Sequence, residues 1–263
     1  MPRRNRQSLN ITYPVPEGAT PVSLEEREVL PLLESGEITG GHRMPYGSNY
    51  TFLVWIDAGP GKYLRAIYKP RDGERPLWDF PLGTLYRREH AAFLLSRLLG
   101  WPNIPLTLVR EGPYGIGMFQ NYVDCDPSVT YFDMVEEDDF HEQLCQIMVF
   151  DLITNNADRK AGHCLLDEDS RIWSIDHGLT FHPSFKLRSV MMEFWGSPIP
   201  DNMVDDLADL HSKLDAGSDD TAPLVEHLDN REVKALKKRI RFLLRDRAIP
   251  NLDANYNIPW PFV

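Results

Sequence analysis

The chain has 263 residues and a formal net charge of −11, because 39 acidic residues outnumber 28 lysines and arginines. This length suits one or two domains and can bury a sizeable core. The acidic balance excludes a general nucleic-acid or anionic-membrane binder, since both need a basic surface, but it allows a ligand that needs only a local basic pocket.

Three features bear on where the protein is found. No run of about eighteen apolar residues occurs, so we expect no transmembrane segment. The basic N-terminus has no apolar stretch behind it and therefore does not match a secretory signal. Cys125, Cys145 and Cys164 lack metal-type spacing and fit reduced thiols. Together these features predict a cytoplasmic protein.

The first third of the chain reads as an arm followed by strands. A proline-rich arm extends to about Pro21 and a short helix follows it, so we assign 1–34 to an arm and helix. Three candidate strands cover 37–43, 50–56 and 63–68. The loop at 45–49 is a tight polar turn whose amides and Ser48 hydroxyl can bind an anion, although an ordinary hairpin turn explains the loop alone.

A carboxylate lies on the apolar face of the next predicted helix. The periodicity of 82–99 indicates a helix, and Glu89 lies on its apolar stripe between Leu85 and Phe93. An unpaired buried carboxylate costs several kcal/mol, so Glu89 must find a cation or be protonated. We favour Lys69, at the end of the third strand, and Arg88 or a neighbouring arginine is the alternative.

The predicted elements divide into two lobes. Two more strands, 106–109 and 116–123, complete a first lobe over 35–123, and a second lobe covers 124–263. The loop at 71–80 either folds over the site as a lid or covers the core with Trp78 and Phe80. In the second lobe we expect helices near 140–153, 200–214 and 230–246. We expect Asp151 to brace the loop that follows the first of these helices, and the apolar tail at 258–263 to dock on the body.

The stretch 151–178 carries the densest set of side chains that can do chemistry. Its two apolar runs, 164–166 and 172–175, flank a polar group with turn character and predict a β-hairpin. A hairpin brings its outer ends together, so His163 and Asp176 should lie close. Asp158 precedes His163 by five positions, and His163 precedes Asp176 by thirteen. With Lys160 nearby, these side chains suit a metal-bound anion.

This spacing resembles that of a known superfamily. Protein kinases place a catalytic Asp, an Asn five residues later, and an Asp-Phe-Gly triplet after a short hairpin. The residues Asn-Ala-Asp-Arg at 156–159 are similar to the Asn-x-Asp-Arg of the phosphatidylinositol 3- and 4-kinase and HipA-type branch. The whole chain resembles a bacterial family described as phosphatidylinositol 3/4-kinase-like. One residue departs from the pattern, because His163 stands where these kinases have a metal-binding Asn.

The resemblance implies an α+β, two-lobed kinase-like fold, with an N-terminal antiparallel sheet plus helix and a mostly helical C-terminal lobe. It also implies transfer of the γ-phosphoryl group of ATP to a hydroxyl of an unidentified small-molecule or protein acceptor. The catalytic residues it implies are Asp158, which orients the acceptor and takes its proton, and Lys160, which neutralises charge on the moving group. Asp176 and His163 would hold Mg²⁺ or Mn²⁺. The implied nucleotide-binding residues are Lys69, Glu89, Gly47, Ser48, Asn49, Gln120, Tyr122 and Val123.

Two other functions stay open on the sequence. A nucleotide-binding pseudokinase that acts through a partner would keep the fold without turnover. A metal-dependent hydrolase would use a cluster made of Asp158, His163, Asp176, His177 and His182. Nucleotidyl transfer onto a protein, in which AMP is moved, is a further variant that the sequence does not separate from kinase chemistry. Lys186 and Arg188, beyond the triplet at 176–178, are candidates for binding an acidic acceptor group, but two cations are too few to favour a phosphoinositide.

Overall fold

The computed structural model describes Val15 and residues 18–45 and 49–262. The predicted arm therefore lies mostly outside the described residues. The chain forms two compact units. The first runs to Tyr86 and includes Leu106–Tyr122, and the second contains Arg87–Pro105 and the chain from Val123 onward. These divisions differ from the predicted lobe boundaries, which stay predictions, because the helix at 85–99 belongs mainly to the second unit.

The first unit is built on a six-stranded sheet. The elements of this unit are β1 (Thr20–Pro21), α1 (Glu26–Ser35), β2 (Ile38–Arg43), β3 (Phe52–Asp57), β4 (Lys62–Pro70), β5 (Thr107–Gly112) and β6 (Gly115–Asn121). Strands β2 to β6 run in the order β2-β3-β4-β6-β5 with antiparallel neighbours, and the short β1 pairs in parallel with β4. The five strands predicted from the sequence are present, with ends shifted by a few residues.

A close approach of two strands fixes the end of β4. A Cβ added to Gly117 on β6 would lie 2.5 Å from the carbonyl oxygen of Lys69 and 2.7 Å from the Tyr68 ring, so a larger residue does not fit there. The Tyr68 ring stacks on Phe119 with centroids 4.4 Å apart and donates its hydroxyl to the carbonyl of Gly115. These contacts hold Lys69 opposite Met118 on the neighbouring strand.

The second unit is mostly helical. The unit contains α2 (Leu85–Leu99), whose first turn starts in the first unit, and then α3 (Tyr131–Met134), α4 (His141–Thr154), β7 (Cys164–Leu166), β8 (Ile172–Ser174), α5 (Asp201–Ala216), α6 (Ala222–Glu226) and α7 (Asn230–Asp246). Helix α4 is buried over most of its length, and both α4 and α5 pack against α7. The capping box of α7, with Asp229 as the N-cap, satisfies the first amides of that helix.

The α+β prediction is confirmed by the sheet and by the seven α-helices of the described residues. The tail is bonded to the body through its main chain, since the amide of Ala161 donates to the carbonyl of Phe262, but its residue Trp260 stays 83% exposed. None of the described helices has the length and apolarity to cross a membrane. In the loop after β4, Phe80 is 6% exposed and covers the core, whereas Trp78 is 93% exposed and does not.

Candidate active site

The end of helix α4 directs the following residues into a loop. Asn155 caps the helix with a left-handed backbone (φ 58°), a conformation that Asn tolerates better than most residues. Its side-chain amide donates to the carbonyls of His182 (2.8 Å) and Ser184 (2.7 Å). Its oxygen accepts the amide of Lys186 at 2.8 Å. The loop that follows α4 is therefore tied to the segment beyond the 176–178 triplet.

A buried ion pair lies beneath this loop. Arg159 and Asp151 are both 0% exposed, and they form two parallel bonds, Nε to Oδ2 at 2.7 Å and Nη2 to Oδ1 at 2.9 Å. Such bidentate pairs fix orientation as well as charge. Nη1 of Arg159 also donates to the carbonyls of Ile175 (2.9 Å) and His163 (3.2 Å). The predicted bracing role of Asp151 is confirmed, and Arg159 extends it to both ends of the hairpin.

The same carboxylate positions Asp158 through an intermediate residue. The side-chain amide of Asn156 donates to Asp151 Oδ1 at 2.9 Å, and its oxygen accepts the amide of Asp158 at 3.0 Å. Asp158 itself keeps 33% of its side chain exposed, and Lys160 Nζ lies 3.7 Å from its Oδ2. The backbone of Asp158 is thus fixed from below while its carboxylate stays accessible.

The environment of Asp158 favours the protonated carboxyl. Burial raises the pKa of Asp158 to about 6, and the charge of Asp176 adds to this shift, while Lys160 and Arg188 oppose it. A general base works best when its pKa lies near the working pH. The carboxylate of Asp158 is therefore suited to accept a proton near neutral pH.

The predicted hairpin brings its outer ends together. Strands β7 and β8 pair from Cys164 opposite Ser174 to Leu166 opposite Ile172. His163 Nε2 then lies 3.4 Å from Asp176 Oδ2, as the sequence predicted. Asp176 has a positive φ of 61°, a strained conformation for a residue with a side chain.

Glu89 contacts the triplet that contains Asp176. Its Oε2 accepts the amide of His177 at 2.8 Å, and both residues are buried. The His177 ring lies 3.0 Å from Arg159 Nη2 and is part of the same network. Arg88, the alternative partner for Glu89, forms a buried ion pair with Glu232. The predicted pairing of Glu89 with Lys69, which lies on β4 of the first unit, stays a prediction.

The other predicted nucleotide-binding residues lie mainly in the first unit. Gly47 and Ser48 fall outside the described residues, while Asn49 accepts the amide of Arg75 through Oδ1 at 2.7 Å. The loop after β4 is therefore bonded to Asn49, one of the predicted nucleotide-binding residues. Gln120 is buried and donates its side-chain amide to Thr107 Oγ1 at 2.8 Å, so this side chain links strands β5 and β6. The Tyr122 ring centroid lies 4.8 Å from the Arg65 guanidinium. Val123 is the first residue of the longer of the two segments that form the second unit.

A curated relative decides the family. Protein Rv2133c of Mycobacterium tuberculosis is 36% identical to this chain over 269 residues, which cover 88% of this chain and 94% of the relative. The chain belongs to the Rv2133c family. No protein-family profile matches this member of the family.

Two solved structures similar to this member of the Rv2133c family are of one kinase. A crystal structure of the Golgi casein kinase with Mn/ADP bound matches with a TM-score of 0.57 at 16% identity, over 83% of this chain and 74% of that one. A second crystal structure of the Golgi casein kinase matches with a TM-score of 0.50 at 15% identity, over 82% and 74% of the two chains. The predicted kinase-like fold is confirmed, while the phosphatidylinositol-kinase and HipA branch stays a prediction.

The donor set of this Rv2133c-family chain limits the kind of metal site it can form. Within the described ranges, no group of three or more His, Cys, Asp and Glu side chains is arranged to hold a metal ion. Asp176 and His163 form a pair, which suits a cation that also binds phosphate oxygens, because Mg²⁺ usually takes one or two protein carboxylates plus substrate phosphates. These residues therefore fit an ion that shares its ligands with a nucleotide.

The hydrogen bond that His163 makes in this structure does not suit metal binding through Nε2. Its Nδ1 accepts the amide of Lys160 in a long contact of 3.4 Å, which places the proton of a neutral ring on Nε2, facing Asp176. A histidine that binds a metal through one nitrogen normally donates from the other. His163 must therefore change tautomer and give up the Lys160 contact before Nε2 can bind an ion.

We expect His163→Asn to change the metal preference of this Rv2133c-family protein. Imidazole suits Mn²⁺ better than Mg²⁺, so the variant should lower the ratio of ATP turnover in Mn²⁺ to that in Mg²⁺ by about tenfold. ADP release in each metal measures the ratio. The control is His211→Asn, because His211 also faces a carboxylate, Asp215, at 3.5 Å on α5. An unchanged ratio, or a wild-type preference for Mg²⁺, would show that His163 is not a ligand.

Proposed function

We propose that this protein is an ATP-dependent phosphotransferase that moves the γ-phosphoryl group of ATP to a hydroxyl of a small-molecule or protein acceptor. The main support is the grouping of Asp158, Lys160, His163 and Asp176 on one loop and hairpin of a kinase-like fold. The raised pKa of Asp158, caused first by burial, suits it to proton transfer. The Golgi casein kinase structure contains Mn/ADP, which is consistent with the nucleotide and metal of this proposal.

In the proposed reaction Asp158 orients the acceptor hydroxyl and takes its proton. The acceptor oxygen forms a bond to the γ-phosphorus while the bond from that phosphorus to the bridging oxygen breaks, and ADP leaves with the electron pair. Asp158 then releases the proton to solvent. Lys160 stabilises negative charge on the moving group, since such catalysis is mainly positioning and electrostatics. A divalent ion held by Asp176 and His163 would neutralise phosphate charge.

The proposal assigns the α- and β-phosphates to Lys69. We expect Lys69→Met to lower ATP turnover by about 100-fold and to weaken nucleotide binding, because a fixed positive charge is lost. ADP release and the thermal shift caused by ATP measure the two effects. Lys62→Met is the matched control, because Lys62 is an exposed lysine on the same strand. Full activity in the Lys69 variant would contradict the proposal and favour the hydrolase.

The departure at His163 favours one second candidate, a nucleotide-binding pseudokinase that acts through a partner. One experiment separates the two functions. The protein is incubated with Mg²⁺ or Mn²⁺ and with ATP labelled in either the α- or the γ-phosphate, and ADP release, transfer of label to protein and the melting temperature are recorded. Turnover supports the phosphotransferase. A raised melting temperature without ADP release or transfer of AMP supports the pseudokinase.

A further inference from the structure

The end of the chain is bonded to two different segments of the candidate site. The carbonyl of Asn257 accepts the amide of Ser189 at 2.8 Å, and the side-chain amide of Asn257 donates to the carbonyl of Leu187 at 2.7 Å. Five residues later, the carbonyl of Phe262 accepts the amide of Ala161 at 2.9 Å. We call 257–262 the strap, because it spans from the segment at 187–189 to Ala161, in the loop between α4 and β7.

Those two segments are also bonded directly to each other. The amide of Arg188 donates to the carbonyl of Asn156 at 2.9 Å, and the amide of Arg159 donates to the carbonyl of Arg188 at 2.9 Å. Asn156 and Arg159 lie on either side of Asp158 in the chain. The main chain of Arg188 is therefore paired with both flanks of the proposed base, while Asn257 holds both neighbours of Arg188.

The side chain of Arg188 is exposed, so packing in the protein interior does not fix its position. Its charge nevertheless acts on Asp158: burial raises the pKa of that carboxyl, and Lys160 and Arg188 are the cations that oppose the rise. An exposed cation contributes to a site only as far as its backbone is held in place, since surface charges are otherwise screened. The bonds of the Arg188 main chain to Asn156 and Arg159 provide part of that constraint, and the bonds of Asn257 to Leu187 and Ser189 add to it on both sides.

We propose that the strap positions Arg188 beside Asp158 and that Asn257 is the positioning residue through which it acts. The inference rests on the proposed phosphotransferase function, in which Arg188 adds positive charge at the place where the acceptor and the transferred phosphoryl group meet. Asn257 contacts neither substrate in this scheme. Its effect on turnover passes through Arg188.

A double-mutant cycle tests the inference in the full-length protein, with ADP release from ATP in Mn²⁺ as the readout. Asn257→Ala should lower kcat by about tenfold and leave KM for ATP within about twofold. The double variant with Arg188→Gln should be no slower than Arg188→Gln alone. Asn255→Ala is the matched control, because its side chain bonds to Asp253 within the same tail. The proposal would be overturned if the losses of kcat in Asn257→Ala and Arg188→Gln multiplied in the double variant. An unchanged kcat in Asn257→Ala would also overturn it.

Amide hydrogen exchange separates failure of the strap from failure of the proposed function. Without nucleotide, Asn257→Ala should speed exchange in 156–162 and 187–190, whereas Asn255→Ala should not. If the wild-type protein does not turn over ATP, the phosphotransferase proposal fails and exchange alone decides whether the strap holds Arg188. Unchanged exchange in both segments of Asn257→Ala would contradict the proposal that the strap holds Arg188 in place. Asn257→Asp, which keeps the shape but loses the amide donor, serves the same comparison if the alanine variant does not fold.

Discussion

Replacing Asp158 with Asn should lower the rate of phosphoryl transfer by about 1,000-fold, because the acceptor hydroxyl loses its proton acceptor. Nucleotide binding should stay within about threefold, since the proposed phosphate ligands are other residues. Turnover is measured as ADP release, and binding as the thermal shift with ATP and Mn²⁺. Asp205→Asn, on the exposed side of α5, is the control for loss of one carboxylate.

The same variant should be more stable at pH 7 than the wild type. Burial raises the pKa of folded Asp158 from 3.8 to about 6, so the folded state holds this proton more tightly than the unfolded chain does. The stability that this group contributes is full below about pH 4 and is lost as the pH rises through about 6. With a discount for its exposure, Asn should gain about 1 kcal/mol, or about 2–4 °C in melting temperature.

The raised pKa also sets the acid limb of activity. Turnover of the wild type should fall as the pH drops through about 6, because Asp158 becomes protonated and can no longer act as a base. Two results would contradict the assignment of Asp158: a variant that retains more than about a tenth of wild-type turnover, or one that melts below the wild type at pH 7.

The second large effect is expected at the buried ion pair. Arg159→Met should cost about 3–5 kcal/mol of unfolding free energy, because it leaves the buried Asp151 carboxylate without its cation. For a chain of this size the melting temperature should fall by roughly 10 °C. Thermal unfolding followed by circular dichroism measures the change. The double variant Asp151→Leu with Arg159→Met should recover part of the loss, because no buried charge then remains unpaired. The recovery should be partial, because the Asn156 amide and the carbonyls of His163 and Ile175 still lose these partners.

A surface pair provides the comparison for this effect. Arg245→Met removes the exposed pair with Asp246 on α7, and we expect no measurable change in melting temperature. If Arg159→Met melts at the same temperature as Arg245→Met, the Asp151–Arg159 pair does not anchor the catalytic loop. Loss of turnover without loss of stability would also contradict the stability prediction, and it would assign Arg159 to the chemistry.

Local patterns in the sequence predicted the parts of the site that depend on neighbouring residues. Alternation and helical periodicity located the strands and helices, and the turn residues between two apolar runs predicted the approach of His163 to Asp176. The polar Asp151 on an apolar helix face was a sufficient signal for a bracing role. The ion pair of Asp151 with Arg159 was not predicted, because Arg159 was interpreted only as part of the motif at 156–159. An arginine eight residues after a buried carboxylate was nevertheless a signal for this pair.

Contacts between residues far apart in the chain could not be predicted in this way. The pair of Arg88 with Glu232 joins positions 144 residues apart, and the bond from Asn257 to Leu187 joins positions 70 apart. No local period encodes such pairings, because they depend on how helices and tail pack in three dimensions. The loop after β4 shows the same limit: it contains two large aromatic residues, and its sequence does not indicate that Phe80 is buried and Trp78 is exposed.

The left-handed backbone of Asp176 places opposite demands on one position. Glycine adopts this conformation more easily than any other residue type does. Asp176→Gly would therefore relax the main chain and remove the carboxylate at the same time. A residue that is suboptimal for folding, at a cost on the order of 1 kcal/mol, is retained where an acidic group faces His163. Stabilising the protein by backbone optimisation should therefore avoid this residue, since any gain in stability there would remove a group on which the proposed chemistry depends.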